Sequence, residues 1–164
     1  MPVQAHATLD QLALREAFSL YPTGVVALCA LREGAPVGIA VNSFTSISLD
    51  PPLVAVSIAR TSTTWPLLAD RRLGLSVLSA EHGGLARALA SRSGDRFANA
   101  QWRATDGGAV LIEGAALWLE CDPWARYDGG DHEVVLLRVE HAETFPGVAP
   151  LVFHQSRFRA LDEA

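Results

Sequence analysis

Short apolar runs separated by turn residues dominate this chain. Gly24 to Leu31 is continuously apolar and β-branched at its start, which predicts a buried strand rather than a short helix. Arg32-Glu-Gly-Ala-Pro36 is a turn cluster, so Val37 to Phe44 is expected to return as a hairpin partner. After the Pro51-Pro52 break, Leu53 to Ile58 gives a third strand. Its Val54, Val56 and Ile58 share one face and Leu53, Ala55 and Ser57 the other. Leu73 to Leu78, Ala109 to Ile112, Ala115 to Tyr127, His132 to Thr144 and Leu151 to His154 read as further strands, with Asp128-Gly-Gly-Asp131 as the turn between the two long ones.

Helical patterns are few. Thr8-Leu-Asp-Gln11 has capping-box form, and Leu14 and Phe18 follow at helical spacing before Tyr21-Pro22. Ser62 to Asp70, with Pro66 early, and Leu85 to Ala90, after Gly83-Gly84, read as two more short helices. Residues 93–108 are polar and glycine-bearing, which predicts a long loop. Many short strands and few helices indicate a mainly β protein built as an antiparallel barrel. At 164 residues, the expectation is one domain over 1–164 with a sizeable core.

Composition narrows the chemistry. The net charge of −5 gives no electrostatic reason to expect nucleic acid or an anionic membrane as partner. All 13 cations are arginines, so Schiff-base catalysis and the phosphate-binding lysine of a P-loop are excluded. Cys29 and Cys121 each sit in an apolar run and are expected to be buried free thiols. The N-terminal residues lack a secretory pattern, and no apolar stretch reaches the ~18–20 residues of a spanning helix, so the expected location is cytoplasmic.

No GxGxxG, GxxxxGK[ST] or GxSxG motif occurs. His132-Glu-Val-Val-Leu136 begins like the zinc motif HExxH but lacks the second histidine and lies in a β-rich run, so no metal site is expected. The informative stretch is Gly38 to Arg60, followed by the hydroxyl run Thr61 to Thr64. Its polar Asn42-Ser-Phe-Thr-Ser46 corner is built of small and hydroxylic residues, so backbone amides there can approach a flat ligand closely. A guanidinium such as Arg60 suits a phosphate through paired N–H donors. Together these make a plausible cradle for a planar ring with a phosphate tail. Each piece also has a plainer reading. Asn42 and Ser43 can satisfy backbone groups at a strand corner, Arg60 can be a solvated strand-end cation, and His132 can be a surface histidine beside Asp131.

Thr23-Gly-Val25, Pro36-Val-Gly38, Asn42-Ser-Phe44, Ser48-Leu-Asp-Pro-Pro-Leu-Val54, Glu120-Cys121, Gly130-Asp-His132 and Pro150-Leu-Val-Phe153 occur in that order. With this order and spacing the chain resembles the short-chain flavin reductases, the flavin reductase-like proteins with the FMN-binding split-barrel fold, from about Leu14 to Leu161. The resemblance implies an antiparallel Greek-key split β-barrel with a few peripheral helices, working as a homodimer. It implies hydride transfer from NADH or NADPH to FMN or FAD, and delivery of reduced flavin to a partner flavin-dependent monooxygenase. On the same grounds Thr23, Gly38, Ile39, Ala40, Asn42 and Ser43 would lie against the flavin. Ser57, Arg60, Ser62 and Thr63 would hold its phosphate, and Ala90 and Ser91 would touch its tail. His132 is the implied catalytic residue, placed near the nicotinamide with Phe153 and His154. Ala40 stands where the family often has threonine, and the strand after Gly24 lacks the usual threonines, which leaves FMN and FAD both open. Two other readings remain at this stage: a flavoprotein with tightly held flavin acting as electron carrier or oxidase, and a non-enzymatic flavin- or haem-binding split barrel.

Overall fold

In the computed structural model, which describes residues 9–164, the apolar runs become antiparallel strands around two packed clusters. Helix α1 (Gln11–Ser19) leads into β1 (Thr23–Gly24), β2 (Val26–Arg32), β3 (Ala35–Val41), β4 (Thr45–Leu49) and β5 (Pro52–Ala59). Helix α2 (Trp65–Leu68), β6 (Leu73–Val77) and helix α3 (Gly83–Ala90) come next. The chain ends with β7 (Trp102–Ala104), β8 (Val110–Ile112), β9 (Leu117–Gly129), β10 (His132–Thr144), β11 (Val152–His154) and β12 (Arg157–Arg159).

Seven strands form one sheet in the order β3-β2-β6-β9-β10-β5-β4. Its two edges, β3 and β4, are consecutive in the chain and joined by residues 42–44 alone. Four Cα steps reach at most about 14 Å, so the sheet must roll until its edges nearly meet. The edges do not pair with each other, and the barrel is therefore split along that line. Ser43 holds the split: its hydroxyl donates to the Ser57 carbonyl at 3.0 Å and accepts from the Ser57 N–H at 2.8 Å.

Strand β2 is buried on both faces, which is why its sequence is apolar without alternation. Val26, Leu28 and Ala30 face the barrel interior with Val56, Leu75, Val135 and Leu137. Ala27 and Cys29 face the second cluster, with Leu78, Val110 and Leu89 of α3. Both cysteines are free and buried, as expected. Burial raises both thiols, Cys121 to about 12, so neither is a thiolate near neutral pH.

Several elements differ from the sequence reading. Thr8, read as a helix cap, lies outside the described residues; Asp10 caps α1 by accepting from the Ala13 N–H at 2.8 Å. Thr45 and Ser46, read as the end of the polar corner, instead begin the edge strand β4, which is mostly exposed and therefore without an alternating pattern. Residues 93–108 contain β7, which pairs with β8, and the C-terminal tail adds β12 beside β11. The second helix shortens to Trp65–Leu68, with the Ser62 hydroxyl accepting from the Trp65 N–H at 3.1 Å. Among the described residues no helix is long and apolar enough to cross a membrane.

Candidate functional site

A cavity of about 610 Å³ opens where the barrel is split. Ile39, Ala40 and Val41 of β3 and Ser57, Ile58 and Ala59 of β5 line it, with Asn42 and Ser43 of the corner between them. Thr61 to Thr64 follow directly from β5, Leu89 and Ala90 come from the end of α3, and Arg92 and Arg96 from the segment beyond. His132 completes the wall. Its place is set by pairing: His132 opposes Ala59 across β10 and β5, and the Arg60 N–H donates to the Asp131 carbonyl at 3.0 Å.

His132 Nδ1 lies 2.7 Å from the Asp131 carboxylate, with the imidazole 44% exposed. That hydrogen bond, and the imidazole charge behind it, hold the Asp131 carboxyl below the usual carboxylate range. The pair fixes the ring's orientation beside the cavity and leaves Nε2 without a hydrogen bond among the described residues.

Arg96 ties the site together. Its Nη1 donates to the Gly38 carbonyl and to the Thr64 hydroxyl, both at 3.0 Å, so the guanidinium and the hydroxyl row converge. Among the described residues neither Arg92 nor Arg96 forms an ion pair. Two arginines without carboxylate partners beside four hydroxyl-bearing residues suit a phosphate, and the aliphatic β3 and β5 side chains suit the face of a flat ring. The donor set fits a flavin mononucleotide unit.

Ile39, Ala40, Asn42, Ser43, Ser57, Ser62, Thr63, Ala90 and His132, each singled out in the sequence, lie together on this wall. Arg60 does not. Its Nη2 meets Asp128 at 2.5 Å and its Nε donates to the Gly130 carbonyl at 2.9 Å, which turns it onto the β9–β10 hairpin. Gly38 is buried behind the wall rather than on it. The Ser91 hydroxyl donates to the Ser93 carbonyl at 3.0 Å as α3 ends, and Ser91 too is off the wall. Thr23, Phe153 and His154 sit on the separate sheet β1-β11-β12, where Thr23 opposes Phe153 and its buried hydroxyl has no hydrogen-bond partner. Arg96 was hidden in residues 93–108, whose polarity signals only a loop, and Arg92 stands just before them. The contact that recruits Arg96 spans 58 residues and has no local signature.

A larger cavity, about 880 Å³, lies along α3 and also has Arg96 on its wall. His82 faces it with both ring nitrogens engaged. Nδ1 accepts from the Ser79 N–H at 3.0 Å, so Nε2 carries the proton directed at the Glu113 carbonyl 3.1 Å away. Burial lowers the His82 pKa, and the histidine is a clamp rather than an acid–base group.

Residues 18–162 match the family described as the flavin reductase like domain. The chain is 35% identical over 154 residues to a flavin reductase of Pseudomonas putida, covering 93% of this chain and 91% of that protein. It is 30% identical over 159 residues to the reductase subunit HsaB of a flavin-dependent monooxygenase from Mycobacterium tuberculosis, covering 95% and 85%. Among solved structures, the NADH:FAD oxidoreductase SgcE6 of Streptomyces globisporus C-1027, in complex with NAD and FAD fragments, superposes with a TM-score of 0.89. It shares 34% identity, with 98% of each chain covered.

Proposed function

The chain belongs to the flavin reductase-like family, and on that premise we propose that it is an NAD(P)H-dependent flavin reductase whose flavin site is the cavity at the barrel split. NADH is the favoured donor, after the NADH:FAD oxidoreductase relative, and the reduced flavin serves a partner monooxygenase, after the HsaB relative. The observation that carries the site is the convergence of Arg96, the Thr61 to Thr64 hydroxyl row and the aliphatic strand residues on one cavity.

When bound, nicotinamide supplies the hydride and flavin accepts it, so the protein needs no dedicated acid–base pair. Ile39, Ala40, Val41 and Ile58 exclude water from the ring's face. The Asn42 amide and the free backbone groups of the corner offer hydrogen bonds to the ring's polar edge. Arg92, Arg96 and the hydroxyl row hold the phosphate, a role that passes to them from Arg60. His132, oriented by Asp131, positions the nicotinamide at the mouth of the cavity.

The protein works as a homodimer. Helix α1 has no buried residue, and Leu12, Phe18, Leu20 and Tyr21 are each more than 60% exposed in the protomer. A nine-residue helix with no fully buried residue has little stability of its own, which favours a second copy as its cover.

The deciding experiment follows NADH oxidation with no flavin, FMN, FAD or riboflavin. Oxidation is expected only when flavin is supplied. Arg92→Ala should weaken FMN binding by about 1.5–3 kcal/mol while leaving riboflavin, which lacks the phosphate, unchanged. His132→Ala should lower turnover more than flavin affinity. A protein that stays yellow through desalting would support the electron-carrier reading instead, and a Soret band the haem-binding one.

A further inference from the structure

Helix α2 is four residues long, and a helix of that length does not hold its own shape. Its first residue follows directly on Thr61 to Thr64, the hydroxyl row assigned to the flavin phosphate. The geometry of that row therefore depends on what holds α2 in place. Thr64 makes no side-chain capping bond to the helix, and the Ser62 hydroxyl accepts from the Trp65 N–H at 3.1 Å instead. With a lone pair engaged there, the Ser62 O–H proton is left to donate to a phosphate oxygen. The position of Trp65 thus sets the direction of Ser62.

Trp65 is held by the hairpin of β9 and β10. It is buried, 6% exposed, and its indole N–H donates to the Glu133 carboxylate at 3.1 Å, a contact across 68 residues. Arg126 of β9 lies over the indole, with Cζ 5.9 Å from the ring centroid. Its Nη2 donates to the Ala69 carbonyl just past the helix at 2.6 Å, and to the Asp70 carboxylate at 2.8 Å. The hairpin therefore grips both ends of α2. An indole has a single donor, and a buried donor left unpaired costs more than its bond contributes, so the ring is directed at Glu133.

We infer that Glu133 is a positioning residue for the flavin phosphate: its carboxylate fixes Trp65, and Trp65 fixes the Ser62 hydroxyl and the row it belongs to. The inference rests on the phosphate assignment proposed above. Charge alone predicts the reverse. A carboxylate near an anionic phosphate repels it, so its removal would tighten binding. Positioning predicts that removal weakens binding, while neutralising the group in place does not. Glu133→Gln keeps an oxygen that accepts from the indole, and Glu133→Ala does not.

Wild type, Glu133→Gln, Glu133→Ala and Trp65→Phe are titrated with FMN and riboflavin by flavin fluorescence, and NADH oxidation is followed against FMN concentration. Glu133→Ala should raise the Kd and the KM for FMN about five- to tenfold, the scale of one lost hydrogen bond. Its riboflavin Kd, and its kcat at saturating FMN, should stay close to wild type. Glu133→Gln should match wild type throughout. Trp65→Phe removes the donor from the other side while keeping an aromatic ring, and should reproduce the FMN-selective loss; it carries the test if Glu133→Ala does not fold. The double variant should bind FMN no more weakly than the weaker single one, since both changes remove the same bond. An FMN Kd unmoved or lowered by Glu133→Ala would overturn the inference. So would equal losses for FMN and riboflavin, which mark a general disturbance of the fold, or a loss in Glu133→Gln as large as that in Glu133→Ala. Wild-type protein that binds riboflavin as tightly as FMN would overturn the phosphate site itself, and the inference with it.

Discussion

A methyl group at Gly38 would sit 2.5 Å from the Cys29 sulfur and 2.9 Å from the Phe97 ring, closer than real contacts allow. The same residue's carbonyl accepts from Arg96. Gly38→Ala should therefore destabilise the protein by about 1–3 kcal/mol through overpacking, measured as a lower midpoint in urea unfolding. The glycine signals a close approach, as a glycine within a strand often does. What approaches is a neighbouring side chain, not the ligand, and no local pattern distinguishes the two. Arg60 carries the same lesson. Position and charge suited it to phosphate, yet Asp128 and the Gly130 carbonyl, both brought close by the hairpin, hold it instead. Exposed pairs of this kind contribute only about 0–1 kcal/mol.

At the scale of elements, α3 connects both cavities to the core, and His82 anchors its N-terminal end to Ser79 and the Glu113 carbonyl. Burial lowers the His82 pKa below the ordinary histidine value, opposed by the Glu113 carbonyl and the Glu81 charge. The unfolded chain therefore binds a proton that the native clamp does not. Its contribution to stability is full above about pH 6.5 and is lost as the pH falls below that value. The melting temperature should drop between about pH 7.5 and 5.5, and His82→Gln should flatten that drop. A drop of the same size in the variant would assign the effect to other groups. The elements themselves were legible to different degrees. Strands β2, β5, β6, β9 and β10 announce themselves because each has at least one buried stretch that must be apolar. Strands β4, β7 and β12 do not, because short, largely exposed strands place no hydrophobic demand on their residues.

At the scale of the whole molecule, the exposed apolar face of α1 is the feature the protomer leaves unexplained. The homodimer proposed above should survive dilution to low micromolar concentration, and Phe18→Glu should convert it to monomer in sedimentation velocity. An unchanged sedimentation coefficient would place the interface elsewhere.

The sequence by itself determined the mainly β antiparallel fold, the buried free cysteines, the polar corner at Asn42 and Ser43, and the family. Each rests on local patterns: burial demands apolar runs, turns demand glycine and polar residues, and the ordered motifs are contiguous in the chain. Only the tertiary structure decided which cation stands at the cavity and which cavity adjoins it. Arg96 reaches Gly38 across the barrel split while Arg60 turns to Asp128, and both outcomes depend on contacts between residues more than fifty positions apart. Pairing of the β9–β10 hairpin with β5 brings Asp128 to Arg60, and packing of the segment beyond α3 against β3 brings Arg96 to Gly38, and no single stretch of sequence contains either contact.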